Sequence, residues 1–174
     1  MSSHSRQSRR HFLAGIGALL AAPVLSGCQF KPMYGSAHGD VKQVMAEIEI
    51  GRIPGRVGQQ IRNDLIFATT GGGQAPKPSY RLEMAIREWE ESILVELTGD
   101  AQGKLYNLEA TFNLVRLNDR KVVFRGKTRS RAAFDKFESI FSNVRARRDA
   151  ENRAARTVAD AVRTQLAAYM SSTV

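Results

Sequence analysis

The chain has 174 residues, 26 Lys and Arg against 17 Asp and Glu, a net charge of +9 and a single cysteine. One cysteine excludes an internal disulfide framework and a thiolate-rich metal site, and three histidines leave little for metal or triad chemistry. The length suits one domain with a core of its own.

Residues 1–27 read as an address rather than a fold. Arg6, Arg9 and Arg10 form a positive start, and Phe12 to Leu25 supply an apolar stretch too short to span a bilayer stably. Ser8-Arg9-Arg10-His11-Phe12-Leu13 resembles a twin-arginine export signal, with Ala14 in place of its usual polar residue. The stretch ends in Leu25-Ser26-Gly27-Cys28, the small-Gly-Cys arrangement of a lipobox. Cleavage before Cys28 and acylation of its thiol and new amino group are the expected consequence. Removing Arg6, Arg9 and Arg10 leaves 23 Lys and Arg against 17 Asp and Glu, a charge of +6 over the 147 residues from Cys28 to Val174. His4 and His11 leave with the signal, so only His38 remains. Several acyl chains, at ~0.8 kcal/mol per buried CH₂, make such an anchor effectively permanent.

Residues 28–40, with Pro32, Gly35 and Gly39, read as an extended, lipidated tether, and residues 41–174 as a single globular domain. Val44, Ala46, Ile48 and Ile50 alternate with Met45, Glu47 and Glu49, which predicts a half-buried strand over 44–50 ended by Pro54-Gly55. Val57, Ile61, Leu65 and Ala68 recur at helical spacing and predict an amphipathic helix. Gly71-Gly72-Gly73 follows that helix and lacks the Gly-Lys-Ser/Thr ending of a phosphate cradle, so it is read as a flexible connection.

Tyr80, Leu82, Met84 and Ile86 line one face of the next strand, after which Trp89, Ile93, Val95 and Leu97 carry the apolar pattern at odd positions. That phase change predicts a bulge or break near residues 88–92. A turn over 98–103 leads to a return strand with Tyr106, Leu108, Ala110, Phe112 and Leu114 on one face, and Asn118-Asp119 turns into a last strand. From Ser142 to Met170 there is no Gly or Pro, which predicts a long helix capped by Ser142. Its buried stripe is Ala150, Ala154, Ala155, Val158, Ala161, Val162, Leu166 and Tyr169. The expected fold class is α+β: a four-stranded, mostly antiparallel sheet with two helices on one face, in the order strand-helix-strand-strand-strand-helix.

The last strand carries the most unusual pattern. Lys121, Arg125, Lys127, Arg129 and Arg131 are all odd, so period two places them on one face about 7 Å apart at each repeat. Such a row suits a multiply phosphorylated or otherwise anionic surface. A solvated face whose cations guard an edge strand against aggregation is the alternative reading. Nucleic acid is disfavoured as a partner by the export signal and by the lack of aromatics interleaved with the cations. Enzyme readings find little: His38 and Asp40 fall in the tether, no serine sits in a Gly-x-Ser-x-Gly elbow, and Glu88, Glu90 and Glu91 are neighbours in sequence only. The three carboxylates are read as balancing the basic strand or marking the bulge. No cofactor, metal or catalytic residue is expected.

Gly27-Cys28-Gln29-Phe30-Lys31-Pro32-Met33-Tyr34-Gly35 resembles the Gly-Cys-Gly-Phe-Arg-Pro-Leu-Tyr-Gly start of the LPS-assembly lipoprotein family LptE in its alphaproteobacterial form. Arg56-Val57-Gly58-Gln59-Gln60-Ile61-Arg62-Asn63-Asp64-Leu65 is similar to that group's Gly-Gln-x-Leu-Arg-Asn-x-Leu helix, and the resemblance runs on through Arg148-Asp149-Ala150-Glu151 to Leu166. Gln29 departs from the family's usual Gly. The resemblance implies an outer-membrane lipoprotein, lipidated at Cys28, facing the periplasm and the lumen of the LptD-type β-barrel that it plugs and helps to assemble. It also implies binding of lipopolysaccharide. A globule of this size has a radius of gyration of ~15 Å, which fits a wide barrel lumen. Charge spacing, rather than the family motif, nominates Arg125, Lys127, Arg129 and Arg131 for the phosphates. The alternatives are an auxiliary lipoprotein of an envelope phospholipid-trafficking transporter and a periplasmic lipoprotein hydrolase.

Overall fold

A computed structural model describes residues 39–95 and 101–173. The signal segment, Cys28, His38 and the tether up to residue 38 lie outside the described residues. The elements in chain order are α1 (Gly39–Ala46), β1 (Ile48–Ile50), α2 (Gly55–Thr70), β2 (Tyr80–Val95), β3 (Ala101–Arg116), β4 (Val122–Asp135) and α3 (Ile140–Thr173). All of them fall in one compact unit, Ser36–Val174.

The four strands form one sheet in the order β1-β2-β3-β4. β1 runs parallel to β2, pairing Ile48 with Tyr80 and Ile50 with Leu82, and a parallel neighbour needs a crossover, which α2 supplies. β2 with β3 and β3 with β4 are antiparallel hairpin pairs. The expected α+β sheet is therefore present, with three helices among the described residues where two were expected.

The core lies between one sheet face and the helices. Leu82 and Met84 of β2, Leu108, Ala110, Phe112 and Leu114 of β3, and Ala132 of β4 are buried on that face. Val57, Ile61 and Leu65 of α2 and Ala150, Ala154, Ala155, Val158, Val162 and Leu166 of α3 cover them. Each fully buried Leu or Ile contributes about 1.5–3 kcal/mol. The alanines in the first half of α3 let its backbone lie close to the sheet. Toward its end Tyr169 stacks on Phe124, with ring centroids 4.9 Å apart, and Phe124 meets Phe112 at 6.0 Å. At Gly126, between them, an added Cβ would stand 2.2 Å from Phe112 Cζ, so only glycine lets the Phe112 ring lie flat against β4.

Several sequence expectations are corrected. The predicted strand over 44–50 is a strand only at Ile48–Ile50, and the tether's last two residues, Gly39 and Asp40, open α1. Val41 and Met45, four apart, are buried on one side of that helix, so the apparent alternation arose where a short helix runs into a short strand. In α2 the stripe ends at buried Thr69 rather than at Ala68, which is exposed. Gly71 caps α2 in the left-handed region with φ 64°, its N–H donating to the Phe67 carbonyl, so the glycine run begins as a helix stop that needs positive φ.

The irregularity expected near residues 88–92 lies at the end of that stretch: β2 and β3 keep one register from Tyr80 to Ser92 and shift between Ser92 and Val95. The apolar pattern changes side because the helix-facing positions Glu88 and Glu90 enter a polar network. Tyr106 donates to Glu88 at 2.6 Å, while Glu90 pairs with Lys104 at 3.2 Å and with Arg147 at 2.7 Å. Ala101–Gly103, expected within a turn, already belong to β3. α3 starts at Ile140, two residues ahead of the predicted Ser142 cap, and Ser142 N–H donates to the Ser139 hydroxyl instead.

Candidate functional site: the open face of the sheet

Because α2 and α3 cover the even-numbered face of β2–β4, the odd-numbered face is open among the described residues. Cross-strand pairing sets the row order there: Arg87 opposite Glu109 opposite Arg129, and Ala85 opposite Thr111 opposite Lys127. Arg125, Lys127, Arg129 and Arg131 do share this face and all four are exposed. They do not share one electrostatic state. Glu109, with only 14% of its side chain exposed, lies between Lys127 at 3.1 Å and Arg129 at 2.7 Å. The Arg129 and Lys127 contacts hold the Glu109 carboxyl below the usual carboxylate range. Arg125 and Arg131 have no ion-pair partner among the described residues. Lys121 sits apart at the β3–β4 turn, 4.0 Å from Asp119.

Above this row Trp89 is held between two guanidinium groups, Arg87 at 5.3 Å and Arg129 at 5.6 Å from the ring centre, and its Nε1–H donates to Glu91 at 2.7 Å. Arg129 therefore serves Glu109 and Trp89 at once, which fixes its head group. Beside the row a shallow hollow of about 450 Å³ is lined by Glu83, Ala85, Thr111, Asn113, Arg125 and Gly126. Fully buried Asn107 faces this side between Trp89 and Arg131, its Nδ2 donating to the Leu105 carbonyl at 3.3 Å and its Oδ1 without a protein partner.

The arrangement offers fixed cations, an aromatic ring and neutral amides on a rigid sheet, a surface suited to an extended anionic partner. Proton-transfer chemistry finds little support in the described residues. Tyr106 is pushed above its usual range by burial and by the Glu88 carboxylate that accepts its hydrogen bond, so it stays a phenol and braces the sheet. Among the described residues no cluster of three or more metal-ligating side chains occurs. Glu88 and Glu90, read as balancing the basic strand, instead face the helices, and only Glu91 lies on the open side, against Trp89. Sequence reasoning missed Arg87 and Trp89 as members of this face and missed Glu109 as its internal counterion. The available signal was odd numbering shared with the β4 row, which acquires meaning only once the strand register is known.

No family model matches this chain, and no curated protein matches it either. Solved structures do share its fold. A lipoprotein from Caulobacter crescentus CB15 superposes with a TM-score of 0.62 at 20% identity, covering 76% of this chain and 96% of that one. The rare lipoprotein B from Shewanella oneidensis gives 0.52 at 10% identity over 72% and 94% of the two chains. Lipoprotein B from Nitrosomonas europaea gives 0.54 at 10% identity over 71% and 83%. The chain thus has a fold found in bacterial lipoproteins. Among the described residues no helix is long and apolar enough to cross a membrane.

Proposed function

We propose that this chain is an LptE-type outer-membrane lipoprotein. In this reading it is anchored through acylated Cys28, sits in the lumen of an LptD-type β-barrel, assists that barrel's assembly and takes part in lipopolysaccharide transport. The observation that carries the reading is the one-sided sheet: the helices cover one face and leave the other open, rigid and cationic. The fold shared with bacterial lipoproteins and the lipobox at Leu25–Cys28 support it. Arg125 and Arg131 are the primary phosphate contacts, because no internal carboxylate neutralises them, with Lys127 and Arg129 joining once Glu109 is displaced or protonated.

The test is purification of the lipidated protein from detergent-solubilised outer membrane, with partners identified by mass spectrometry. A stoichiometric large β-barrel protein is the expected result. Recovery alone would overturn the reading, and recovery with an inner-membrane transporter would favour the phospholipid-trafficking alternative.

A further inference from the structure

The largest departure from ordinary surface chemistry lies away from the basic row, where β4 passes into α3. Phe137, Ile140, Phe141 and Val144 are 49%, 82%, 68% and 45% exposed. Ile140, Phe141 and Val144 lie on the first turns of α3 with Phe137 in the loop just before them, and Ile140 and Val144 continue the helix face that further along carries buried Glu151, Ala154, Ala155 and Val158. Ile140 and Val144 stand across a groove from Phe134, Lys104 and Glu90 of the sheet, so the side that is core further along is exposed here. Monomeric soluble proteins seldom expose contiguous apolar surface of this kind.

The stripe is held in place. Asn143 accepts from the Phe137 N–H at 2.6 Å and donates through Nδ2 to the Phe137 carbonyl at 2.8 Å, a two-way clamp that ties the connecting loop to the helix. Behind it a groove of about 280 Å³ is lined by Phe134, Ile140, Val144, Lys104, Lys136 and Arg147. The rim is basic. Glu90 is the one acid lining the groove and already holds Lys104 and Arg147, while Arg145 lies 5.6 Å over the Phe141 ring. The charge of the rim narrows the choice of occupant: Lys104, Lys136 and Arg147 against Glu90 leave the groove with an excess of two positive charges, which suits carboxylates.

We propose that the Phe137–Val144 stripe and its groove form a docking surface for a protein segment that inserts apolar side chains and presents carboxylates to the basic rim. The proposal rests on the reading above, under which that segment belongs to the barrel. It deepens that reading by assigning the barrel contact to the start of α3 and leaving the open sheet face for the anionic ligand.

The test uses the full lipidated chain expressed in the envelope, as wild type, as Ile140→Asp/Phe141→Asp, and with Phe141 replaced by photo-crosslinking p-benzoylphenylalanine. Both aspartates replace exposed side chains, so the melting temperature is expected to match wild type. Docking predicts that wild type recovers the barrel, that the double variant recovers at least tenfold less, and that the crosslink joins position 141 to the barrel. If wild type recovers the barrel and the double variant recovers as much, the docking surface is wrong and the functional reading stands. If wild type recovers no barrel, the functional reading falls and the docking assignment with it. A crosslink to phospholipid or lipopolysaccharide in place of the barrel overturns the protein occupant in favour of lipid. Should the double variant prove unstable, the crosslink alone decides.

Discussion

Gly126→Ala is the sharpest test of how the sheet closes against α3. The added methyl would stand 2.2 Å from Phe112 Cζ, 2.7 Å from Phe112 Cε1 and 2.7 Å from Gln165 Oε1. The Gln165 amide can swing away at little cost. The Phe112 ring cannot, because it is 2% exposed and locked against Phe124, which in turn stacks on Tyr169. Forcing one methyl into such a site costs about 1–3 kcal/mol through off-rotamer side chains and backbone shifts. For a domain of this size about 2 kcal/mol lowers the melting temperature by roughly 6–8 °C. The assay is thermal unfolding followed by circular dichroism, run on wild type, Gly126→Ala, Phe112→Leu and the double variant. The smaller ring-free side chain should recover much of the loss in the Gly126→Ala background, giving a coupling energy of about 1 kcal/mol. A melting temperature within 1 °C of wild type for Gly126→Ala, or strict additivity in the cycle, would refute the argument that Phe112 fills the space over Gly126.

Glu109 is held below the ordinary carboxylate range by Arg129 and Lys127, so its contribution is present above that range and disappears as pH falls through its lowered value. Wild type and Glu109→Gln should therefore differ in melting temperature near neutrality and converge on acidification; a gap independent of pH would contradict an ionic origin. Glu151, 11% exposed, pairs with Arg56 and, at 3.1 Å, with Arg147. Glu151→Gln should cost about 1–2 kcal/mol in urea unfolding, the exposure of both arginines keeping the value low. Leu108→Ala empties a fully buried site under α3 and should cost about 2–5 kcal/mol in the same assay, with an unchanged m-value.

The antiparallel part of the fold was legible in the sequence because β2, β3 and β4 each bury one face, and one-sided burial writes a period of two into the chain. α3 was legible because Ala, Val and Leu recur at helical spacing without Gly or Pro from Ser142 to Met170. α1 was not. Its 8 residues are too few for periodicity to separate a helix from a strand, and the short β1 is specified by pairing with Tyr80, 32 residues beyond Ile48. The irregularity expected near 88–92 occurs from Ser92 onward, and the apolar phase changes ahead of it because Glu88, Glu90 and Tyr106 make the helix-facing side polar while the ladder still holds its register.

At the site, period two alone aligned Arg125, Lys127, Arg129 and Arg131. Which of them are free to meet a ligand depends on Glu109 from the neighbouring strand, and that required the register Glu109↔Arg129. The apolar stripe at the start of α3 was likewise hidden. Ile140, Phe141 and Val144 look like core residues until the start of α3 is seen to leave them exposed.

We propose that the open, cationic sheet face engages the phosphates of lipopolysaccharide. The most direct measurement is binding of lipopolysaccharide to the lipidated protein in detergent across a salt series. Wild type is compared with Arg125→Gln/Lys127→Gln/Arg129→Gln/Arg131→Gln and with an Arg145→Gln/Arg148→Gln control at the start of α3. A large loss of affinity and a flatter salt dependence are expected for the strand variant, with the control close to wild type. Unchanged affinity and salt dependence in the strand variant would contradict it.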